Sequence, residues 1–259
     1  MPAGMDYRVE RRVGYLTFNR PDKMNSIGEE FLSDIASVMD EVRADEHLRA
    51  LVLTGSGKAF CVGLDLDLLE RAFGDVEYFE TVLRRLNAFY LGMEELPIPV
   101  VAAVNGIARA GGYEISLAAD LVLVADEARI GDVHSPFGVP PGGGASHRLT
   151  RRVGEQRAKE LIFTGRWLDG REAATWGLAL RSVPLGQLVE ATEELVDQLR
   201  DKPRSCLSVG KWCLHENRHL PSRAAVDVEL GAFHEWLTTV RDPGEGMRAF
   251  VEKREPAFD

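Results

Sequence analysis

The stretch from Val100 to Asp120 constrains the fold more than any other part of the sequence. Val100 to Val104 is a short apolar run, which is typical of a buried strand. Glycines follow it, and from Tyr113 the apolar spacing predicts a helix that ends near Asp120. A strand, a glycine turn and a helix in this order are typical of an α/β protein.

The predicted turn between this strand and this helix can present backbone N–H groups to a ligand. The first helical N–H groups have no intrahelical partner, and the helix dipole makes that end positive. Gly111 and Gly112 would let a ligand approach, and Glu114 falls in the first turn. The pattern indicates stabilisation of an oxygen anion beside a general acid or base. The alternative is structural, since an acidic residue there stabilises a helix by about 0.3–1 kcal/mol.

Length and composition predict one soluble globular protein of 259 residues, with 45% hydrophobic and 28% charged residues. The net charge of −10 argues against nucleic acid as a partner. Three cysteines lack metal or disulfide spacing, and no apolar run reaches the ~18–20 residues that span a membrane. We therefore expect a cytoplasmic protein with no membrane partner and no metal.

The rest of the chain reads as a mixed α/β core to about residue 190, followed by helices. A strand hairpin is predicted over Arg8–Asn19, turning at Arg12 to Gly14, with Ser26 as the cap of the next helix. Buried strands are predicted at 49–54, 121–125 and around 183, and helices at 78–93 and 144–163. The last four predicted helices fall near 186–201, 205–216, 222–240 and 243–253.

Two predicted loops resemble each other, because Gly63-Leu64 and Gly111-Gly112 each follow a buried strand and precede a helix. Two N–H groups that converge on one carbonyl oxygen stabilise an enolate or a tetrahedral anion. Ordinary strand-to-helix turns are the alternative reading. Cys61 lies beside the first loop, and we interpret it as a buried inert thiol, because no base is spaced to activate it.

Several segments in order resemble the crotonase superfamily, the enoyl-CoA hydratase/isomerase family. They are RPDKMNS, GSGKAFCVGLDL, VVAAVNGIARAGGYEISLAADLVLVADEARIG, PPGGGASHRLTRRVG and FVEKREPAF, and together they cover nearly the whole chain. The resemblance implies a spiral of ββα units over residues 1–190 and a C-terminal helical trimerisation region over 191–259. It also implies a homotrimer or a dimer of trimers, and an acyl-CoA substrate with no further cofactor.

The resemblance also implies roles for individual residues. The backbone N–H groups of Leu64 and Gly111 would bind the thioester oxygen, and Glu114 falls on a catalytic glutamate position. Residues implied to bind the substrate, including its CoA part, are Lys23, Met24, Lys58, Ala59, Phe60, Gly63, Leu64, Asp65, Gly111 and Lys253. For Lys253, a solvated position on a helix is the alternative.

The sequence departs from the family pattern at three positions. His134 stands at the position where, by the resemblance, hydratases of this family have a second glutamate. It is a proton-transfer partner, an orienting residue or a bystander, and these three readings stay open. Arg109 and Ala110 stand where the family more often has smaller residues and a third glycine.

Three functions follow from these residues. The first is an enoyl-CoA hydratase or isomerase that works through an oxyanion hole and the single glutamate, Glu114. The second is a hydrolase of carbon–carbon bonds in β-diketones, in which His134 activates water. The third is a non-catalytic CoA-binding protein, which the missing second carboxylate would favour and the two glycine loops oppose.

Overall fold

The computed structural model describes residues 4–258 of the chain. Within that range the strands are β1 Met5–Glu10, β2 Val13–Phe18, β3 Ala50–Gly55, β4 Ala59–Cys61, β5 Val100–Val104, β6 Ile107–Arg109, β7 Leu121–Ala125, β8 Arg129–Gly131, β9 Leu168–Asp169 and β10 Arg181–Val183. The helices are α1 Glu29–Ala44, α2 Leu66–Gly74, α3 Val76–Glu95, α4 Gly111–Ala118, α5 Ala145–Val153, α6 Glu155–Thr164, α7 Gly170–Trp176, α8 Leu188–Arg200, α9 Arg204–Glu216, α10 Ser222–Thr239 and α11 Glu245–Glu252.

The strands form two sheets that the chain visits in turn. The larger sheet has the order β1-β2-β3-β5-β7-β10 and the smaller has the order β4-β6-β8-β9. The larger sheet gains the parallel strands β3, β5 and β7. After each of them the chain enters the smaller sheet, where it forms β4, β6 and β8 in turn. Helices complete each turn, so the predicted spiral of ββα units is confirmed.

Burial explains why the central strand carries only apolar residues. Every residue of β5 is buried, because β3 and β7 flank it and helices cover the sheet. α4 is buried along its whole length. Its second residue, Gly112, packs directly on β4: a Cβ there would lie 1.9 Å from the carbonyl oxygen of Cys61. Glycine at this position therefore sets how closely helix and strand approach.

Several predicted boundaries were wrong. The first hairpin turns at Arg11 and Arg12, both with positive φ, rather than at Arg12 to Gly14. Ser26 is not a helix cap, since α1 begins after Gly28 and Ser26 instead donates to Asp65. The helix predicted over 144–163 is two helices, because Gly154 has a φ of +79° and interrupts it.

The C-terminal helices differ in how they pack. Leu188 and Val196 of α8 are buried in the main core, so this helix belongs with the spiral. α9 has no buried residue and α10 has only Ala232. Among residues 4–258, no helix is long and apolar enough to cross a membrane.

Candidate active site

A cavity of about 670 Å³ opens between the two predicted glycine loops, α2, α3 and the segment 133–143. Leu64, Gly111, Glu114 and His134 all line it, so three separate parts of the sequence contribute to one site. Most of its wall is apolar, with contributions from Leu69, Phe73, Phe79, Leu83, Leu86 and Val139. A largely apolar cavity with few polar groups is typical of a small-molecule site.

The two glycine loops lie against each other at one end of this cavity. A Cβ placed on Gly63 would be 3.0 Å from the backbone nitrogen of Gly111. Ile27 donates to the carbonyl of Gly63 at 2.8 Å and accepts from the N–H of Asp65 at 2.9 Å. That bridge leaves the N–H of Leu64 without a partner among residues 4–258, and Gly111 starts α4, where an N–H has no intrahelical partner. Two backbone donors therefore lie close together at the cavity wall.

Ala110 holds the second donor loop in a strained conformation. It is the N-cap of α4, with a φ of 48° and a ψ of −120°, a region that residues with a Cβ rarely adopt. Tyr90 fixes the next residue from the other side, since its hydroxyl donates to the carbonyl of Gly111 at 2.8 Å. The orientation of the Gly111 N–H is thus determined by strain and by a buried hydrogen bond.

Glu114 projects from the first turn of α4 into the wall of the cavity, where it is almost fully buried. Its side chain is 2% exposed, and Oε1 accepts from the N–H groups of Gly143 at 2.8 Å and Ala145 at 3.3 Å. Burial raises the pKa of this carboxyl from 4.5 to about 7, against the opposing effects of His134 and of these two hydrogen bonds. A carboxyl with such a pKa can both give and accept a proton near neutral pH.

His134 pairs with a buried carboxylate. Its Nδ1 lies 3.1 Å from Oδ1 of Asp132, whose side chain is fully buried. Burial alone would lower the pKa of His134, but the hydrogen bond and charge of Asp132, with the charge of Glu114, raise it. Val133 between them has a φ of 49°, unusual for a β-branched residue, so the loop is strained where it presents His134.

An ion pair behind the cavity supports the segment that binds Glu114. Arg148 donates to Glu94 at 2.8 Å, and both side chains are buried. Another nitrogen of Arg148 donates to the carbonyl of Gly143 at 2.7 Å, while the N–H of Gly143 reaches Glu114. No local sequence signal marks Arg148 or Glu94 as partners, because they lie 54 positions apart.

The loops implied to bind the CoA part lie side by side, outside the cavity lining. Asn25 joins them, because its side-chain amide donates to the carbonyls of Ser56 at 3.0 Å and Ala59 at 2.7 Å. Lys23, Met24 and Lys58 are exposed there. Phe60 is fully buried against Phe18, and Ala59 is also buried, so their side chains are core residues.

The other implied residues have mixed positions. Asp65 caps α2 by accepting from the N–H of Asp67 at 3.1 Å. Lys253 is exposed just after α11 and does not line the cavity. Cys61 is fully buried, and burial raises the pKa of its thiol to about 12, as expected of an inert thiol. The described residues 4–258 contain no cluster of side chains suited to a metal ion.

A two-sheet ββα spiral that places a pair of backbone donors beside a buried carboxyl defines a crotonase-type α/β protein. Comparison with known proteins agrees: the family model for enoyl-CoA hydratase/isomerase matches residues 8–259. The chain belongs to this family, whose members are lyases and isomerases.

Individual relatives are similar over their full length. A putative enoyl-CoA hydratase from Thermus thermophilus is 37% identical over 97% of this chain and 99% of its own. A probable enoyl-CoA hydratase from Mycobacterium tuberculosis is 32% identical over 96% of this chain and 95% of its own. The crystal structure of an enoyl-CoA hydratase from Bacillus anthracis superposes with a TM-score of 0.93 at 32% identity, covering 98% of each chain.

Proposed function

We propose that the protein is an enoyl-CoA hydratase/isomerase-type lyase that acts on a 2-enoyl-CoA. The observation that carries this proposal is the position of Glu114, buried in the cavity with Oε1 held by two backbone N–H groups. Its raised pKa suits a group that takes a proton and returns it in one cycle. The relatives named as enoyl-CoA hydratases support the same class of substrate.

In the proposed reaction, the thioester oxygen accepts from the N–H groups of Leu64 and Gly111. Each such donor contributes ~3 kcal/mol to transition-state stabilisation in other enzymes. Glu114 takes a proton from water, whose oxygen bonds to the β-carbon as the π electrons move onto the thioester oxygen. The enolate then collapses, and Glu114 returns the proton to the α-carbon. Water is thus added across the double bond, with a single carboxyl carrying the proton.

His134 has a supporting role in this proposal. Its Nδ1 faces Asp132, which leaves Nε2 as the nitrogen available to the cavity. An imidazole held in this way can orient the attacking water or stabilise a developing charge. Isomerisation would not need His134, because Glu114 alone can remove a proton from one carbon and return it to another.

A second candidate is a crotonase-type hydrolase of carbon–carbon bonds in β-diketones. The His134–Asp132 pair favours it, since a histidine oriented by a carboxylate is a common means of activating water. In that reaction water would attack a ketone carbonyl, and the bond to the central carbon would break as an enolate leaves.

Assays on a panel of substrates test the two candidates. The purified protein is incubated with short 2-enoyl-CoAs and with cyclic β-diketones, and the ultraviolet absorbance of each conjugated group is followed. Loss of enoyl-CoA absorbance supports the proposed lyase. Turnover of diketones alone supports the hydrolase, and tight CoA binding without any turnover supports the non-catalytic alternative.

We also propose that the protein assembles as a homotrimer or a dimer of trimers through its C-terminal helices. Large apolar side chains are exposed on α10 and α11: Leu230, Phe233, Leu237, Met247, Phe250 and Val251. Exposed large apolar side chains in such numbers are typical of helices that form a protein–protein interface. Light scattering of the purified protein measures its mass and checks this assembly.

A further inference from the structure

One cation in the cavity has no role in the chemistry described above. Arg109 is the last residue of β6, half-buried, and its side chain lines the same cavity as Glu114. The other charged or titratable side chains in the lining are Glu70, Glu114 and His134. The remainder of the wall is mainly apolar, so Arg109 is an unusual charge in this setting.

The contacts of Arg109 leave most of its guanidinium free. Nε donates to the carbonyl of Val62 at 3.1 Å, and the guanidinium carbon lies 5.6 Å from the ring centre of Phe137. Within residues 4–258, no carboxylate forms an ion pair with it and neither terminal nitrogen has a hydrogen-bond partner. By contrast, the buried Arg148 is paired with Glu94.

The contacts of Arg109 place it beside the two predicted glycine loops. It precedes Gly111 by two residues and bonds to Val62, which precedes Leu64 by two residues. The guanidinium is therefore tied to both loops that carry the proposed oxyanion donors. Arg109 lines the cavity, whereas Lys23 and Lys58, in the loops implied to bind CoA, lie outside its lining.

An arginine held at Nε, with two terminal nitrogens unpaired, suits a planar anion. Its fork matches a carboxylate through two parallel hydrogen bonds, and such charge-assisted pairs are strong in partly dry surroundings. A neutral alkyl chain would cover the cation without pairing it, which costs free energy. The cavity therefore favours an acyl group with a carboxylate over an alkyl chain of equal length.

We propose that Arg109 binds a carboxylate on the acyl chain, so that the substrate is the CoA thioester of an unsaturated dicarboxylic acid. This inference rests on the proposed function, because it assumes that the cavity takes an acyl-CoA. It goes beyond that function by naming the class of acyl group and the residue that selects it.

A matched pair of substrates tests this selectivity. Glutaconyl-CoA is crotonyl-CoA with a carboxylate on its terminal carbon, so the two differ only in the group that Arg109 would bind. We expect the wild-type kcat/KM to favour glutaconyl-CoA at least tenfold, and the ratio to fall at least tenfold in Arg109→Met. Arg109→Lys should keep part of the preference, and Arg84→Met, an exposed arginine on α3, should keep all of it.

Binding of saturated thioesters separates this inference from the proposed reaction. Calorimetry with glutaryl-CoA and butyryl-CoA needs no turnover, and glutaryl-CoA should bind at least tenfold tighter to the wild type but not to Arg109→Met. If neither enoyl-CoA reacts while this preference holds, the proposed reaction fails and the carboxylate site stands. A wild type without preference, or an Arg109→Met variant that weakens both ligands and free CoA equally, would overturn the assignment.

Discussion

The backbone N–H of Gly143 donates to Oε1 of Glu114 at 2.8 Å, across 29 positions of sequence. The carbonyl of Gly143 accepts a hydrogen bond from Arg148, and Arg148 is paired with the buried Glu94. The orientation of the proposed catalytic carboxyl therefore depends, through Gly143, on the buried ion pair between Arg148 and Glu94. Gly143 also needs to be glycine, because a Cβ would lie 2.2 Å from Oε2 of Glu114.

Removing the charge of Arg148 should destabilise the fold and disturb Glu114. Arg148→Met removes the closest partner of the buried Glu94 and leaves Arg218 at 3.4 Å, so we expect a loss of about 3–5 kcal/mol in unfolding free energy. Urea denaturation measures it. The double variant with Glu94→Met should recover part of the loss, and Arg151→Met, exposed on the same helix, should change stability little. Equal stabilities of the single and double variants would contradict this account.

Relief of backbone strain should stabilise the second donor loop. Ala110 has a φ of 48° and a ψ of −120°, and glycine adopts this conformation with little cost. Ala110→Gly should therefore raise the unfolding free energy by about 1 kcal/mol, the low end of the cost of such strain. Ala110→Val should lower it. A destabilised glycine variant, measured by urea denaturation, would show that the strain at Ala110 is not energetically significant.

Removing the charge of Asp132 should lower the pKa of His134. The hydrogen bond and charge of Asp132 raise this pKa against the effect of burial, so Asp132→Asn leaves burial less opposed. An NMR titration of the histidine ring protons measures the change. His147 is the internal control, because burial and Arg148 lower its pKa without any contribution from Asp132. An unchanged His134 pKa would mean that the pair does not interact electrostatically.

The stability of the protein should depend on the ionisation of Glu114. Its pKa is raised from 4.5 to about 7 in the folded state, so its contribution is full below pH 4.5 and lost as pH rises through 7. At about 1.4 kcal/mol per pKa unit, ionisation costs on the order of 3 kcal/mol. Glu114→Gln avoids this cost, and its stability relative to wild type should increase between pH 5 and pH 8.

Urea denaturation of both proteins at the two pH values gives that difference directly. Glu30→Gln, at an exposed position on α1, is a suitable control and should show no such trend. A constant difference between Glu114→Gln and wild type would contradict the raised pKa.

The sequence predicted the site where local patterns carry the information. Val100–Val104, the glycines and Glu114 lie within one short stretch, so strand, turn and acidic first turn could all be inferred there. The three-residue strand β6 was missed, because so few residues give no periodicity and their pairing with β4 and β8 is long-range.

The hydrogen bonds that support the site could not be predicted from local sequence patterns. Asn25 bonds to Ala59, 34 positions away, and Arg148 bonds to Glu94 from another helix. A polar residue in a loop or on a helix usually faces solvent, and nothing in its neighbours indicates a buried partner. The break at Gly154 was missed for a related reason: a glycine inside a periodic helical pattern is often tolerated.

The role of Glu114 in proton transfer is tested by the kcat of Glu114→Gln on a 2-enoyl-CoA, with the affinity for CoA measured on the same variant. Loss of general acid–base catalysis costs typically 10²–10⁴-fold. We predict a fall in kcat of that size, with the fold retained and the affinity for CoA near that of wild type. A variant that retains full turnover would contradict the assignment of proton transfer to Glu114.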